Sequence, residues 1–130
     1  KRDGLLLEPL VKPTFEVSVH GFVWRDGRYE LGRICAQNIT DRGAFRGVRL
    51  AEPHELAVSE HAAFNERAAT VAQALARAGY FGPFGIDGYR YTFSPPDDAT
   101  AFCALGEINA RYTRGFVTGF PRHPSDLVLD

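Results

Sequence analysis

Alternating apolar and polar residues predict a β-hairpin near the start of the chain. The apolar side chains of its first strand share one face: Phe15, Val17, Val19 and Val23. The other face carries Glu16, Ser18, His20 and Trp24. The Asp26–Gly27 pair suits a tight turn, so we expect residues 29–38 to return antiparallel. A loop is expected between Gly43 and Gly47, and the apolar run at residues 5–11 is expected to be a buried strand or a hinge.

The period changes to that of a helix between Ser59 and Ala78. Apolar residues there recur on one side, at Phe64, Ala68, Val71, Ala72 and Leu75. Ser59 is expected to cap this helix, and Gly79 is expected to end it in the left-handed conformation. Residues 82–93 and 101–108 follow as two strands. We therefore expect a single α+β domain, a mainly antiparallel sheet of about five strands with one long helix and short helical segments packed on it.

Composition narrows the class of protein. The chain has 130 residues, of which 45% are hydrophobic and 24% charged, as in one globular domain. A formal net charge of -1 gives no large field to attract nucleic acid or an anionic membrane, and no run approaches the ~18 apolar residues needed to span a bilayer. We therefore expect a cytoplasmic protein with neither partner. Cys35 and Cys103 lie far apart without a zinc-binding pattern, and the lack of methionine suggests a piece of a longer protein.

Three polar residues of the last hairpin are candidates for a metal site. If the hairpin is symmetric about Asp97, Asp87 lies opposite Glu107, and Asn109 shares the face of Glu107 because side chains alternate. Two carboxylates at ~5 Å repel each other unless a positive charge lies between them. The three oxygen donors suit Mg²⁺, with Mn²⁺ as an alternative.

Spacing alone leaves another interpretation open. Asp87 and Glu107 could lie on a solvated sheet face, or each could pair with an arginine, Arg90 or Arg111. Paired carboxylates are common on sheets, so the neighbouring sequence has to decide between a metal site and this alternative.

That neighbouring sequence resembles the end of the ATP-grasp domain. Two segments carry the resemblance, GYFGPFGID at residues 79–87 and LGEINARYT at residues 105–113. In that superfamily an acidic residue on one strand and a Glu-x-Asn on the next hold the magnesium ions that bridge the nucleotide phosphates. The resemblance implies that Asp87, Glu107 and Asn109 are metal ligands. It also implies that Arg111 is the catalytic arginine that faces the phosphates or the acyl-phosphate.

A weaker resemblance extends upstream. Residues 6–11 are similar to the hinge that contacts adenine and ribose, which implies nucleotide contacts by Glu8, Leu10 and Val11. Residues 34–38 resemble a later strand of the domain. By the same resemblance, three further residues approach ribose or substrate: Gln37, Asn38 and Arg42.

The resemblance implies a function for a larger protein. ATP would phosphorylate a small-molecule carboxylate, and an amine, a thiol or a similar nucleophile would displace phosphate from the acyl-phosphate. The N-terminal lobe of the ATP-grasp domain is expected to be missing, since the only lysines are Lys1 and Lys12 and that lobe supplies lysines to the phosphates. Two alternatives remain: a nucleotide-binding or regulatory domain without turnover, and an α+β interaction domain whose acidic patch binds nothing.

Overall fold

One antiparallel sheet organises the structure. The computed structural model describes residues 4–5, 7–40, 42–93, 99–123 and 126–127. The strands are β1 (Lys12–Val23), β2 (Tyr29–Leu31), β3 (Cys35–Ile39), β4 (Phe45–Leu50), β5 (Gly82–Thr92) and β6 (Thr100–Asn109). The helices are α1 (Val58–Arg77) and α2 (Phe116–Gly119). Within these residues the sheet order is β4-β3-β1-β5-β6, with β2 also paired to β1.

Strand β1 is the centre of the sheet, and its two faces have different partners. Val17 and Val19 are fully buried and belong to the main core together with Phe64 of α1. Ser18 and His20 point to the opposite face, where each is only 3% exposed. The predicted alternation of β1 is therefore confirmed, and it separates a helix-covered face from a second face that holds the polar residues.

The predicted return strand is confirmed, but it is divided into two pieces. Strand β2 pairs with Gly21–Val23, whereas β3 pairs with Val17 and Ser18. Between the pieces, the Arg33 backbone N–H donates to Gly119 O (2.9 Å) instead of to β1. The expected loop between Gly43 and Gly47 is wrong at its second end, because Gly47 lies inside β4 and pairs with Asn38.

Helix α1 confirms the predicted helical segment and its end. Gly79 has φ 80°, the left-handed conformation expected after the last turn. The predicted cap is wrong: Ala57 precedes the helix, and its N–H donates to the carboxylate of Glu60 at 2.8 Å. A glutamate in the first turn thus accepts from the N–H of the residue that precedes the helix, whereas a cap at Ser59 would have accepted from an N–H two or three residues further on. No helix in the described part of the chain is long and apolar enough to cross a membrane.

The start of the chain differs from one of its two predicted forms. Leu5, Leu7 and Leu10 are 84%, 82% and 99% exposed, and the described residues before Lys12 contain no strand. A buried strand is therefore the wrong interpretation, because nothing in the described chain covers these leucines. Leu6 lies outside the described residues.

Candidate functional site

The β5–β6 hairpin brings the predicted metal ligands together. Asp87 pairs with Glu107 and Gly85 pairs with Asn109, which is the predicted register. Nearer the loop the register differs, because Tyr89 pairs with Cys103. Strand β6 therefore contains two more residues than β5 over this interval. The expected centre at Asp97 lies outside the described residues.

Two glycines accommodate the extra residues of β6. A Cβ on Gly88 would lie 2.8 Å from the Phe64 ring, and one on Gly106 would lie 2.9 Å from the Tyr89 ring. Both distances are shorter than real Cβ contacts, so a larger residue would have to displace the ring or the strand. An insertion of two residues also keeps side-chain parity, so Glu107 and Asn109 stay on the face of Asp87.

A chain of hydrogen bonds joins these polar side chains. Asp87 accepts through Oδ1 from Gln37 Nε2 (2.7 Å) and through Oδ2 from Asn109 Nδ2 (3.2 Å). Asn109 Oδ1 in turn accepts from Arg111 Nη2 at 2.9 Å. Neutral amides, rather than cations, thus hold both oxygens of Asp87, and the guanidinium of Arg111 is one residue removed.

No cationic side chain of the described chain forms an ion pair with Asp87 or Glu107; Asp87 is partly buried and Glu107 is exposed. Burial and the nearby charge of Glu107 raise the pKa of Asp87 to about 6. The predicted alternative pairing with Arg90 is wrong, because Arg90 donates to Glu60 on the helix-covered face (Nε to Oε1, 2.8 Å). In the described structure, Arg111 donates to the amide oxygen of Asn109 and to the backbone of Tyr112 instead of to either carboxylate of the pair.

These residues line a pocket of about 390 Å³. Its lining includes five residues predicted from the sequence: Gln37, Asp87, Glu107, Asn109 and Arg111. It also includes residues that the sequence interpretation did not assign to the site: Ser18, His20, Phe45, Val48, Gly85, Thr113, Arg114 and Gly115. Strand parity could have indicated Ser18 and His20, which share the face of the site. The sequence carried no signal that β4 would contribute a wall.

The remaining predicted binding residues lie away from this pocket. Glu8 and Leu10 are exposed, and Val11 is partly buried. Asn38 is exposed and lies on the opposite strand face from Gln37, and Arg42 is exposed as well. None of the five belongs to the lining of the described pocket, and their contacts with nucleotide stay predictions.

The donor set fits a hard divalent cation. The described residues contain no group of three His, Cys, Asp or Glu side chains that could hold a metal ion. Two carboxylates and the carbonyl oxygen of Asn109 nevertheless form an oxygen-only set of the kind that Mg²⁺ prefers when waters and phosphates complete the coordination. The pKa of Asp87 is raised by burial and, to a smaller extent, by repulsion from Glu107, and a cation between the two acids would relieve that repulsion.

Comparisons with known proteins identify the fold. No protein-family model matches the chain, and neither does any curated protein. The structure is similar to N5-carboxyaminoimidazole ribonucleotide synthetase from Thermus thermophilus, with a TM-score of 0.54 and 15% identity, over 80% of this chain and 25% of that one.

Two structures from Aspergillus clavatus also match, over 80% of this chain and 24% of theirs. One is carboxyaminoimidazole ribonucleotide synthase complexed with ATP (TM-score 0.47, 16% identity). The other is N5-carboxyaminoimidazole synthase in complex with ADP and 5-aminoimidazole ribonucleotide (TM-score 0.46, 17% identity). The chain thus spans about a quarter of the length of the enzymes it matches. The described chain therefore has the fold of part of the Thermus synthetase, and the predicted ATP-grasp fold is confirmed.

Proposed function

We propose that this chain is the C-terminal lobe of an ATP-grasp domain and binds ATP together with magnesium for an ATP-dependent ligase. The observation that carries the proposal is the direct pairing of Asp87 with Glu107 on neighbouring strands, without a cationic side chain between them in the described chain. Two like charges on directly opposed residues destabilise a sheet, so an unpaired couple of acids in a pocket is better explained by a ligand than by stability.

Asp87, Glu107 and Asn109 would hold the metal, and Mg²⁺ supplies positive charge to the phosphates when it is bound. Arg111 is the catalytic residue of the proposal. Its guanidinium now donates to Asn109, at the edge of the pocket, and can turn to meet a phosphate or an acyl-phosphate. Positioned cations of this kind lower the barrier because they stabilise charge that develops on the transferred group.

The raised pKa of Asp87 still allows its carboxylate to bind a metal ion near neutral pH. With a pKa of about 6, its carboxyl group is mostly ionised at pH 7 and can act as a ligand. Acidification protonates it and competes with the metal. We therefore expect magnesium affinity to fall as the pH drops through about 6.

The remaining roles follow from the family resemblance and the length of the matched enzymes. Backbone and side chains of residues 8–11 would contact adenine and ribose, and Gln37 and Arg42 would face ribose or substrate. A second lobe, outside this chain, would supply lysines to the phosphates. The substrates would be a small carboxylic acid and an amine, a thiol or a similar nucleophile, joined through an acyl-phosphate.

The experiment that tests this proposal uses the chain by itself. It should fold and bind ATP with Mg²⁺ weakly, without steady hydrolysis, because phosphates in an open site stay hydrated and each charge interaction is several-fold weaker than in a closed cleft. Calorimetry with ATP and Mg²⁺ measures the affinity. Asp87→Asn and Glu107→Gln should each abolish the magnesium-dependent part of the binding.

Glu16→Gln is the matched control for that titration. Glu16 is a partly buried acid on the same sheet face, and it pairs with Tyr89 beside Asp87, but it does not line the pocket. Its removal should leave the magnesium dependence unchanged. Equal losses in all three variants would point to a general field effect and would reject the ligand assignment, whereas steady phosphate release would reject the need for a second lobe.

A further inference from the structure

His20 is a buried residue of the pocket that the proposed function does not use. Its ring is bonded on both sides: Nδ1 lies 3.0 Å from Thr113 Oγ1, and Nε2 lies 3.2 Å from Ser18 Oγ. Ser18 belongs to β1, two residues away. Thr113 belongs to the stretch at residues 110–115, which follows β6 and which we call the arginine segment because it carries Arg111 and Arg114. The ring therefore links β1 to the arginine segment.

The surroundings of the ring fix its position. A Cβ on Gly85 would lie 3.0 Å from Nδ1 of His20, and one on Gly119 would lie 3.1 Å from Cδ2. A Cβ on Gly115 would overlap Nε2. Phe116 meets the ring edge-on at 6.4 Å between centroids. Three glycines and an aromatic ring thus leave room for an imidazole in one position.

The arginine segment lies beyond the end of the sheet, so the link from His20 to Thr113 connects it to β1 where backbone pairing does not. Strand β6 ends at Asn109, and its ladder of backbone bonds ends with the pairing of Asn109 and Gly85. Beyond that point, the Phe116 N–H donates to Thr113 O (3.1 Å), a bond local to the segment. The Tyr112 side chain is 46% exposed and packs edge-on against Phe116, with 4.9 Å between the ring centroids. The bond between Thr113 and His20 therefore ties the middle of the segment to the centre of the sheet.

We propose that His20 is a positioning residue that holds the arginine segment against β1 through Thr113, so that Arg111 and Arg114 face the pocket. The inference rests on the proposed function only for the role it gives to Arg111. The bond to Ser18 has a separate task, which is to fix the ring within its own strand. The two ring nitrogens can therefore be tested separately.

Two substitutions at the same position separate the two bonds. The side-chain amide of asparagine reaches the place of Nδ1, whereas that of glutamine reaches the place of Nε2. His20→Asn should keep the bond to Thr113, and His20→Gln should keep the bond to Ser18 and lose Thr113. Hydrogen exchange of the ligand-free chain should show the Phe116 amide, which donates to Thr113 O, opening about tenfold faster in His20→Gln than in wild type, the effect of one hydrogen bond of about 1.4 kcal/mol.

The amides of α1 serve as the internal reference, and His20→Asn should stay within about twofold of wild type. A residue that merely filled space would give the same change in both variants. If neither variant folds, Thr113→Val and Ser18→Ala provide the same contrast: Thr113→Val should release the segment and Ser18→Ala should not. Equal exchange in either pair of variants would overturn the inference.

Binding gives a second readout. With inorganic pyrophosphate and Mg²⁺ as the probe, calorimetry should show about tenfold weaker binding in His20→Gln and Thr113→Val, and restored binding in His20→Asn. Wild-type chain that binds no magnesium pyrophosphate but shows the exchange contrast would reject the proposed function and support the positioning role. Binding in wild type that is equal in all variants would support the function and reject the positioning role.

Discussion

Acidic side chains on the two sides of the sheet have pKa values that are shifted in opposite directions. On the helix-covered face, Arg90 donates through Nε to Glu60 (2.8 Å), and this hydrogen bond lowers the pKa of Glu60. On the pocket face, Asp87 lies opposite another acid, Glu107, and burial together with that charge raises its pKa to about 6. A carboxyl group is thus stabilised in its charged form on one face and destabilised in that form on the other.

This difference distinguishes a pair that supports the fold from a pair that is a candidate for binding a ligand. The pair of Arg90 and Glu60 is internally balanced and ties the start of α1 to β5, since Arg90 also donates to Glu55 O at 2.8 Å. The pair of Asp87 and Glu107 is unbalanced and has a charge left for something outside the chain. A pocket acid with a raised pKa is a better functional candidate than a neutralised acid of equal burial.

The largest expected effect is on catalysis, in a protein that contains this lobe and turns over ATP. Glu107→Gln should lower turnover by orders of magnitude, because the metal loses one of its two anionic ligands. Glu60→Gln is the control from the other face and should retain turnover in the fraction that folds. Steady-state kinetics at saturating ATP measures both. Near-normal turnover in Glu107→Gln would refute its role as a ligand.

The next largest effect is on stability. Here the variant on the helix-covered face should lose more than the variant in the pocket. Arg90→Gln should reduce the free energy of unfolding by about 1–3 kcal/mol, because Glu60 would remain partly buried without its charged donor. Glu107→Gln should leave stability unchanged or slightly higher without divalent cations, since it removes repulsion. Chemical denaturation in the presence of EDTA compares the two. A larger loss in Glu107→Gln would mean that Glu107 supports the fold.

The site was predictable from the sequence where strand parity decides the outcome. Asp87 and Glu107 face each other although the loop end of the hairpin has a different register, because the two extra residues of β6 preserve the alternation. The extra residues themselves were not predictable. They coincide with Gly88, where a Cβ would meet Phe64 of α1, so the backbone there lies close to a distant part of the chain.

Other features depend on such distant contacts as well. Strand β4 was expected to be partly loop, because its short run has no clear alternation until β3 pairs with it. His20 looked like an isolated histidine, and its bond to Thr113 joins residues far apart in the sequence. The run that contains the exposed Leu5, Leu7 and Leu10 was expected to be a buried strand or a hinge, and the buried form is wrong because an apolar run does not reveal whether its partner belongs to the same chain.

A smaller effect should appear in the pH dependence of stability without divalent cations. The folded pKa of Asp87, about 6, exceeds its ordinary value of 3.8, so its contribution is favourable at low pH and is lost as the pH rises through 6. Burial lowers the pKa of His20 from 6.5 to about 4, so its contribution is present above 6.5 and is lost as the pH falls through 4. The two contributions therefore oppose each other between about pH 4 and 6.

Substitution of either residue should therefore reveal a dependence of stability on pH, because the two opposing contributions cancel in the wild type. Between about pH 4 and 6, wild-type stability should change little from these two groups. Asp87→Asn should make stability rise with pH over this range, and His20→Asn should make it fall. Denaturant titrations at several pH values would show the slopes. Slopes of the same sign in both variants would mean that one of the two pKa directions is wrong.

The smallest expected effect distinguishes two neighbouring residues on opposite faces of β3. Gln37 donates to Asp87 Oδ1 at 2.7 Å, and this bond lowers the pKa of Asp87 against the effect of burial, whereas Asn38 is exposed and lies on the other face. Gln37→Ala should raise the pKa of Asp87 further, by less than about one pH unit, because the ionised carboxylate loses a donor. Asn38→Ala should leave it unchanged. Carboxyl ¹³C NMR titration of the metal-free chain measures both, and an equal shift in the two variants would show that the bond from Gln37 does not control the ionisation of Asp87.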